Sequence, residues 1–386
     1  MEVLTYQDVV NEIFSHTATS RDDLRVMRKL VEHYGNPHLA VPTIHVAGTN
    51  GKGQVSGKIS CALEAEGYRV GLFTSPHIED YTERMTINGV RIPQQTVVEY
   101  WLDIKEVYPQ LHVIPNFFDI TTLFSFRYFA SQNVDVAVME TGLGGRLDST
   151  NVVEPLVSAI TSVSHDHIDY LGSSIHDIAY QKAGVIKKET PVVVGPRARF
   201  DEIIKEAELQ GSQLIQVEKQ ACYYDTENQA VATEVLKLIS DRFPVSKSSL
   251  EEGMRHSLNC RFQKEGSVIY DVAHNPDAFY RLVGALKHRY PYQNFRFVVG
   301  MSLNKDIRGS IRYIDEVCDH VHFVKADPQR GANPEEIAEE FQRVSTKPFT
   351  IEKSISEAVR NAKAALKEGQ LLVVCGSFFL MREAKQ

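Results

Sequence analysis

The chain has 386 residues, of which 43% are hydrophobic and 24% charged, so two ordinary globular domains are expected and no disulfide or metal is needed to complete a core. Its 42 Lys and Arg against 50 Asp and Glu leave a net charge of −8, without the broad positive field that nucleic-acid binding uses. The cysteines Cys61, Cys222, Cys260, Cys318 and Cys375 are scattered without a CxxC pair, the N-terminus has no basic-then-apolar leader, and no apolar run would span a bilayer, so a reduced, cytoplasmic, membrane-free protein is expected.

After a polar helical start, Val41–Ala47 reads as a strand, a glycine-rich turn follows, and a helical pattern runs from Val55 to Gly67. Further short apolar runs at Arg69–Phe73, Asp135–Glu140, Leu156–Val163 and Pro191–Gly195 alternate with helical stretches such as Thr121–Asn133 and Ile175–Ile186. This alternation predicts a parallel, doubly wound sheet. From Phe200 to Cys260 the chain reads as helix-rich with no strong strand. A second alternation begins at Ser267–Asp271 and continues at Phe295–Val299, Val321–Val324 and Leu371–Cys375, with helices at Pro334–Val344 and Ile355–Glu368. The expected architecture is α/β throughout: residues 1–258 form an N-terminal doubly wound domain with a phosphate loop, and residues 259–386 a smaller, Rossmann-like C-terminal α/β domain.

The sharpest motif is Gly48-Thr49-Asn50-Gly51-Lys52-Gly53. Its glycines let successive N–H groups turn toward phosphate oxygens, Lys52 can reach the outer phosphates, and the following helix offers the positive end of its dipole. An ordinary glycine-rich turn with a solvated lysine is the bland alternative; the flanking strand and helix favour the phosphate loop.

That loop, followed by Thr74–Ile92 (TSPHIEDYTERMTINGVRI), Met139–Asn151 (METGLGGRLDSTN), Ile160–Gly172 (ITSVSHDHIDYLG), Ile178–Lys187 (IAYQKAGVIK) and Tyr270–Ala278 (YDVAHNPDA), closely resembles the folylpolyglutamate synthase/dihydrofolate synthase family, a branch of the Mur-type ligases. The resemblance implies an N-terminal ATPase-like domain and an ATP-dependent reaction. ATP phosphorylates a folate carboxylate, and the amino group of L-glutamate displaces phosphate to form the amide. Dihydropteroate is a second expected acceptor. A carboxylate is too poor an electrophile to form an amide unaided, so phosphorylation makes chemical sense.

By motif match, Ser75, Glu140 and His167 are implied magnesium ligands, and Lys182 the lysine whose carbamate holds a second ion. Glu140 ends a predicted strand, at the sheet edge where α/β proteins bind ligands. His165, Asp166, His167 and Asp169 lack a cysteine or third histidine at zinc spacing. Asn228, Arg261, Asp271 and His274 match positions around the nucleotide; a helix N-cap for Asp271 and a solvated Arg261 are the bland readings. Lys52, His167 and Lys182 carry the implied catalytic roles. Ser75–Arg84 and Phe117–Thr122 resemble the folate-lining segments, and Asp306 and Cys375–Phe379 the border of the glutamate site.

Two departures stand out. Gln54 occupies the place of a serine whose hydroxyl can join magnesium, and the stretch between Phe200 and Cys260 is short. A ligase for another carboxylate and a low-activity paralogue that binds nucleotide or folate therefore stay open. A monomer is expected.

Overall fold

The computed structural model describes residues 4–17, 23–219 and 224–386; Cys222 lies outside them. By internal contacts the chain divides into two units. Of the described residues, the first comprises 4–17, 23–163, 175–219 and 227–256, and the second 164–174, 224–226 and 257–386. Ser164–Ser174, which the sequence pattern runs together with the first block, therefore packs with the second.

The first unit is built on eight strands: β1 (Thr43–Ala47), β2 (Val70–Phe73), β3 (Met85–Ile87), β4 (Val90–Arg91), β5 (Val136–Glu140), β6 (Pro155–Ser162), β7 (Val192–Arg197) and β8 (Leu214–Gln216). They lie in the order β4-β3-β2-β5-β1-β6-β7-β8, parallel except at β3, which runs antiparallel to β2 and forms a hairpin with β4 at one edge. Asn88 and Gly89 both take positive φ in that hairpin turn, the usual use of an Asn-Gly pair. Strand order reverses at β1, whose neighbours are β5 and β6. Ligands bind α/β sheets at such a switch point. β8 belongs to the stretch that reads as lacking a strong strand; it is three residues at the sheet edge, too short to leave a periodic signal.

Alternation along the central strands explains why the sheet is covered twice. Val136 and Val138 of β5 join Ile44, Val55 and Ile59 in one core, whereas Ala137 and Met139 join Phe73, Phe124 and Phe129 in the other.

The second unit has a six-stranded sheet of β9 (Gln263–Glu265), β10 (Val268–Tyr270), β11 (Phe295–Val299), β12 (Cys318–Phe323), β13 (Phe349–Ile351) and β14 (Leu371–Cys375), in the order β13-β12-β11-β14-β10-β9, antiparallel only at β9. Phe295, Phe297 and Val299 of β11 and Val373 of β14 pack with Phe279, Leu286 and Phe341 from its helices in one core. Both sheets are of the expected α/β kind. No helix among the described residues is long and apolar enough to cross a membrane.

One core residue carries a pH signature. His45 of β1 is fully buried, and its Nε2 lies 2.8 Å from the Thr150 hydroxyl, which itself donates to Asp148 at 2.6 Å. The imidazole is therefore the Nε2–H donor, and its Nδ1 has no partner among the described residues. Burial, reinforced by Lys187, pushes its pKa from 6.5 down to about 3. Below about pH 6.5 the unfolded chain takes up a proton that the folded one refuses. Stability is thus lost as pH falls from there toward 3, at up to about 1.4 kcal/mol per pH unit. His45→Gln keeps a donor for Thr150 and cannot titrate, so its urea midpoint is expected to fall less between about pH 7.5 and 5.5 than that of the native chain. Equal shifts in both proteins would remove His45 as the cause.

Candidate active site

The first unit gathers the glycine loop at the carboxyl end of β1. Gly48 and Gly51 take φ of 150° and 91°. A Cβ on Gly48 would strike the Thr161 hydroxyl, and one on Gly51 the side-chain oxygen of Asn228. β6 pins the loop: the Asn50 N–H donates to Ser162 Oγ at 3.0 Å, and Thr49 N–H to the Ser162 carbonyl at 2.8 Å. The helix Lys52–Glu66 begins three residues earlier than the sequence pattern shows, because left-handed Gly51 completes the turn that the apolar periodicity does not register. No side chain caps it and no acid occupies its first turn, so its amide dipoles are available to an anion. Lys52 Nζ curls over the loop and donates to the Gly48 and Thr49 carbonyls at 3.1 and 3.2 Å. Asn228 is buried against Gly51. Gln54, in the first turn of the helix, is buried too.

Glu140 is the last residue of β5, level with Val46 of β1 and so two residues before the loop begins. Its carboxylate is only 3% exposed and accepts the Ser75 N–H at 3.0 Å, which brings these two motif positions together. Lys182, on the helix Ile175–Ala183, is 2% exposed rather than solvated. Among the described residues no cluster of three His, Cys, Asp or Glu side chains is placed to cage a metal. A single buried carboxylate beside a glycine loop fits magnesium, which draws most of its shell from water and phosphate oxygens.

The two folate-like segments also meet. Phe117 opens the helix Phe117–Ser131, whose N-cap Asn116 accepts the Phe118 and Asp119 N–H groups at 2.8 and 3.1 Å. Tyr81 donates its hydroxyl to Thr121 at 3.0 Å and packs edge-on to the Phe117 ring. Buried Arg84 donates Nε to His77 at 2.9 Å, with its guanidinium 5.1 Å from the Phe117 centroid. Burial lowers the Arg84 pKa to about 10 against the pull of Tyr81, Glu140 and Glu83. Phe14, from the first helix Tyr6–Ser15, stacks on Phe117 at 4.6 Å; sequence reasoning misses it, since nothing local links positions so far apart.

The second unit holds the remaining candidates. Asp271 is buried and accepts the Phe262 and Ala273 N–H groups, both at 2.8 Å. The N-cap of the next helix, Pro276–Arg289, is Asn275 and not Asp271: its side chain accepts the Ala278 N–H at 2.9 Å. The guanidinium of Arg261 lies 4.7 Å from the Phe378 centroid, and Phe378 also packs against His274, so Arg261 is partnered rather than freely solvated. Asp306 caps the helix Ile307–Ile311, and Ser377 caps the last helix after fully buried Cys375. His167, at a left-handed φ of 51°, stands with His274 around the buried carboxylate of Asp166. Burial opposes ionisation of Asp166, but His274, followed by His167 and Lys305, outweighs it and holds the carboxyl far below the usual range.

Two sheets of this topology, the first with a glycine loop at its switch point, define a Mur-type ligase. The Mur ligase middle domain matches residues 46–248, and the Mur ligase glutamate ligase domain matches residues 259–378. The dihydrofolate synthase/folylpolyglutamate synthase of Escherichia coli is 31% identical, covering 86% of this chain and 83% of its own length. A probable bifunctional folylpolyglutamate synthase/dihydropteroate synthase of Haloferax volcanii is 28% identical over 99% of this chain, which spans half of that longer protein. Among solved structures, E. coli FolC in complex with DHPP and ADP superposes with a TM-score of 0.89 at 28% identity, covering 99% of this chain and 97% of that one. The Yersinia pestis bifunctional enzyme complexed with AMPPNP and Mn ion superposes at 0.87 with 29% identity, covering 98% and 96%. The chain belongs to the folylpolyglutamate synthase/dihydrofolate synthase family.

Gly51→Ala and Gly67→Ala separate backbone strain from loop packing. Both glycines are left-handed, but an added Cβ meets Asn228 at Gly51 and nothing within 4 Å at Gly67. Gly67→Ala is expected to cost strain alone, roughly 1–3 kcal/mol, and Gly51→Ala more. Urea unfolding of the two variants gives the comparison.

Proposed function

We propose that the chain joins L-glutamate to a tetrahydrofolate, and also to dihydropteroate, through an acyl phosphate, with ATP as phosphoryl donor. Its class is ATP-dependent glutamate ligation to a folate. The observation that carries the reading is the uncapped helix N-terminus behind Gly48–Gly53, with Lys52 folded over the loop at the sheet's switch point. In that place Lys52 exchanges its loop carbonyls for phosphate oxygens, and the first-turn amides neutralise charge on the transferring group. Thr49, Asn50 and Asn228 shape the loop. Arg261, Asp271 and His274 serve the nucleotide.

Ser75 and Glu140 would hold magnesium, and Lys182, as a carbamate, a second ion; bound there, the metal supplies charge neutralisation at the phosphates. The aromatic wall of Phe14, Tyr81 and Phe117 is a flat apolar surface suited to a pterin ring. The division of labour follows a joint at Leu258, and the protein acts as a cytoplasmic monomer.

The deciding experiment is phosphate release with ATP, magnesium and glutamate, run with tetrahydrofolate and dihydropteroate side by side. Release is expected only when glutamate and an acceptor are both present. Lys52→Ala is expected to remove about 2–4 kcal/mol of transition-state stabilisation without loss of fold. Near-normal turnover in that variant would mean that the phosphates bind elsewhere.

Glu140→Gln is expected to shift the magnesium needed for half-maximal rate upward, since an anionic ligand becomes neutral. Lys182→Ala is expected to lose activity that acetate partly restores. An unchanged magnesium titration, or a fully active Lys182→Ala, would contradict the respective assignment.

A further inference from the structure

A cavity of about 580 Å³ opens in the second unit, lined among others by Ser173, Asn275, Tyr280, Asn304, Lys305 and Tyr313. Asp166 lies in its wall with a side chain only 7% exposed, and three hydrogen-bond donors and the His274 ring converge on its two oxygens. Oδ1 accepts the His167 N–H at 2.9 Å and the Lys305 ammonium. Oδ2 accepts the Asn275 amide at 3.0 Å and pairs with His274 Nε2 at 3.5 Å.

Each of these partners is constrained from its other side. His274 Nδ1 faces the Val272 carbonyl at 2.9 Å, an acceptor, so Nδ1 carries a proton and Nε2 is turned toward Asp166. Asn275 directs its oxygen to the helix cap and its amide to Asp166. Lys305 Nζ stands 3.4 Å from His167 Nε2 as well, and its side chain is 12% exposed. A mostly buried ammonium is stable there only with a carboxylate to meet it.

We propose that Asp166 is a positioning residue for the ligation: one buried carboxylate sets the Lys305 ammonium at a fixed place in this cavity wall, facing an incoming anionic group. The proposal rests on the ligase reading. Asp166 touches no substrate in it and acts through Lys305. Phosphate-loop capture of the nucleotide belongs to Gly48–Gly53 of the first unit, so the role of Asp166 is in turnover.

Asp166→Asn keeps size and shape, but its amide N–H₂ meets the Lys305 ammonium on one side or the Asn275 amide on the other, a donor either way. The variant is compared with Lys305→Met, the double variant and Asp166→Glu, each scored for kcat, KM for ATP and thermal unfolding. Asp166→Asn is expected to lower kcat at least about tenfold with KM for ATP within about twofold. The double variant is expected to be no worse than the more impaired single, because the two residues act as a unit. A kcat within about twofold of native, or losses that multiply in the double variant, or a loss matching the unfolded fraction, would overturn the proposal.

A second readout is independent of catalysis. Labelling of Lys305 by an amine-reactive ester, followed by mass spectrometry, is expected to speed up several-fold in Asp166→Asn because the ammonium is released. An unchanged labelling rate also overturns the proposal. A native chain that releases no phosphate while Lys305 labelling still responds would count against the ligase reading and not against the positioning by Asp166.

Discussion

The carbonyl of Asn50 accepts two hydroxyls from β6, Thr161 Oγ1 at 2.7 Å and Ser162 Oγ at 2.9 Å, and the shape of the glycine loop depends on that pair. A trans peptide holds its C=O and the following N–H on opposite sides. Drawing the Asn50 carbonyl toward β6 therefore turns the Gly51 N–H away from it. The strand order then matters: β6 can supply the hydroxyls only because it lies beside β1, and β5 brings Glu140 level with Val46, two residues before the loop, on the other side. Loop conformation and carboxylate placement both follow from the reversal of strand order at β1.

Buried charges divide into those that explain the fold and those that do not. Lys58 is fully buried, yet it donates to the Met254 and His256 carbonyls at 2.8 and 2.7 Å. It thereby ties the helix Lys52–Glu66 to the end of the helix Lys247–Arg255. Its role is structural. Glu140, Lys182 and Asp166 are buried at motif positions instead. Burying a charge costs stability unless partners compensate, and a hydrophobic residue of similar size would serve packing as well or better. Charges retained at such positions are where function is to be sought.

The aromatic wall follows the same logic with apolar groups. Phe14, Tyr81 and Phe117 come from three separate segments and meet around Arg84, whose guanidinium lies against the Phe117 ring. Cation–ring contact and the His77 bond compensate a buried cation there, and the pKa of about 10 leaves Arg84 charged at neutral pH.

The alternation of strands and helices, the glycine loop with Lys52 and the family are all legible in the amino-acid sequence, because they are written in local periodicity and contiguous motifs. Glu140 is legible at a strand end too, and the register sets it two residues before the level of Gly48. The helix start at Lys52 is not, since the left-handed turn at Gly51 leaves no apolar period. Neither are the short edge strands β8, β9 and β13, whose three residues carry too little pattern. Long-range packing alone makes Phe14 stack on Phe117, anchors the loop through Thr161 and Ser162, and brings Lys305 to Asp166. Each of these contacts joins residues about a hundred positions or more apart, and the chain closures that bring them together are set by sheet order and core packing, not by any local spacing.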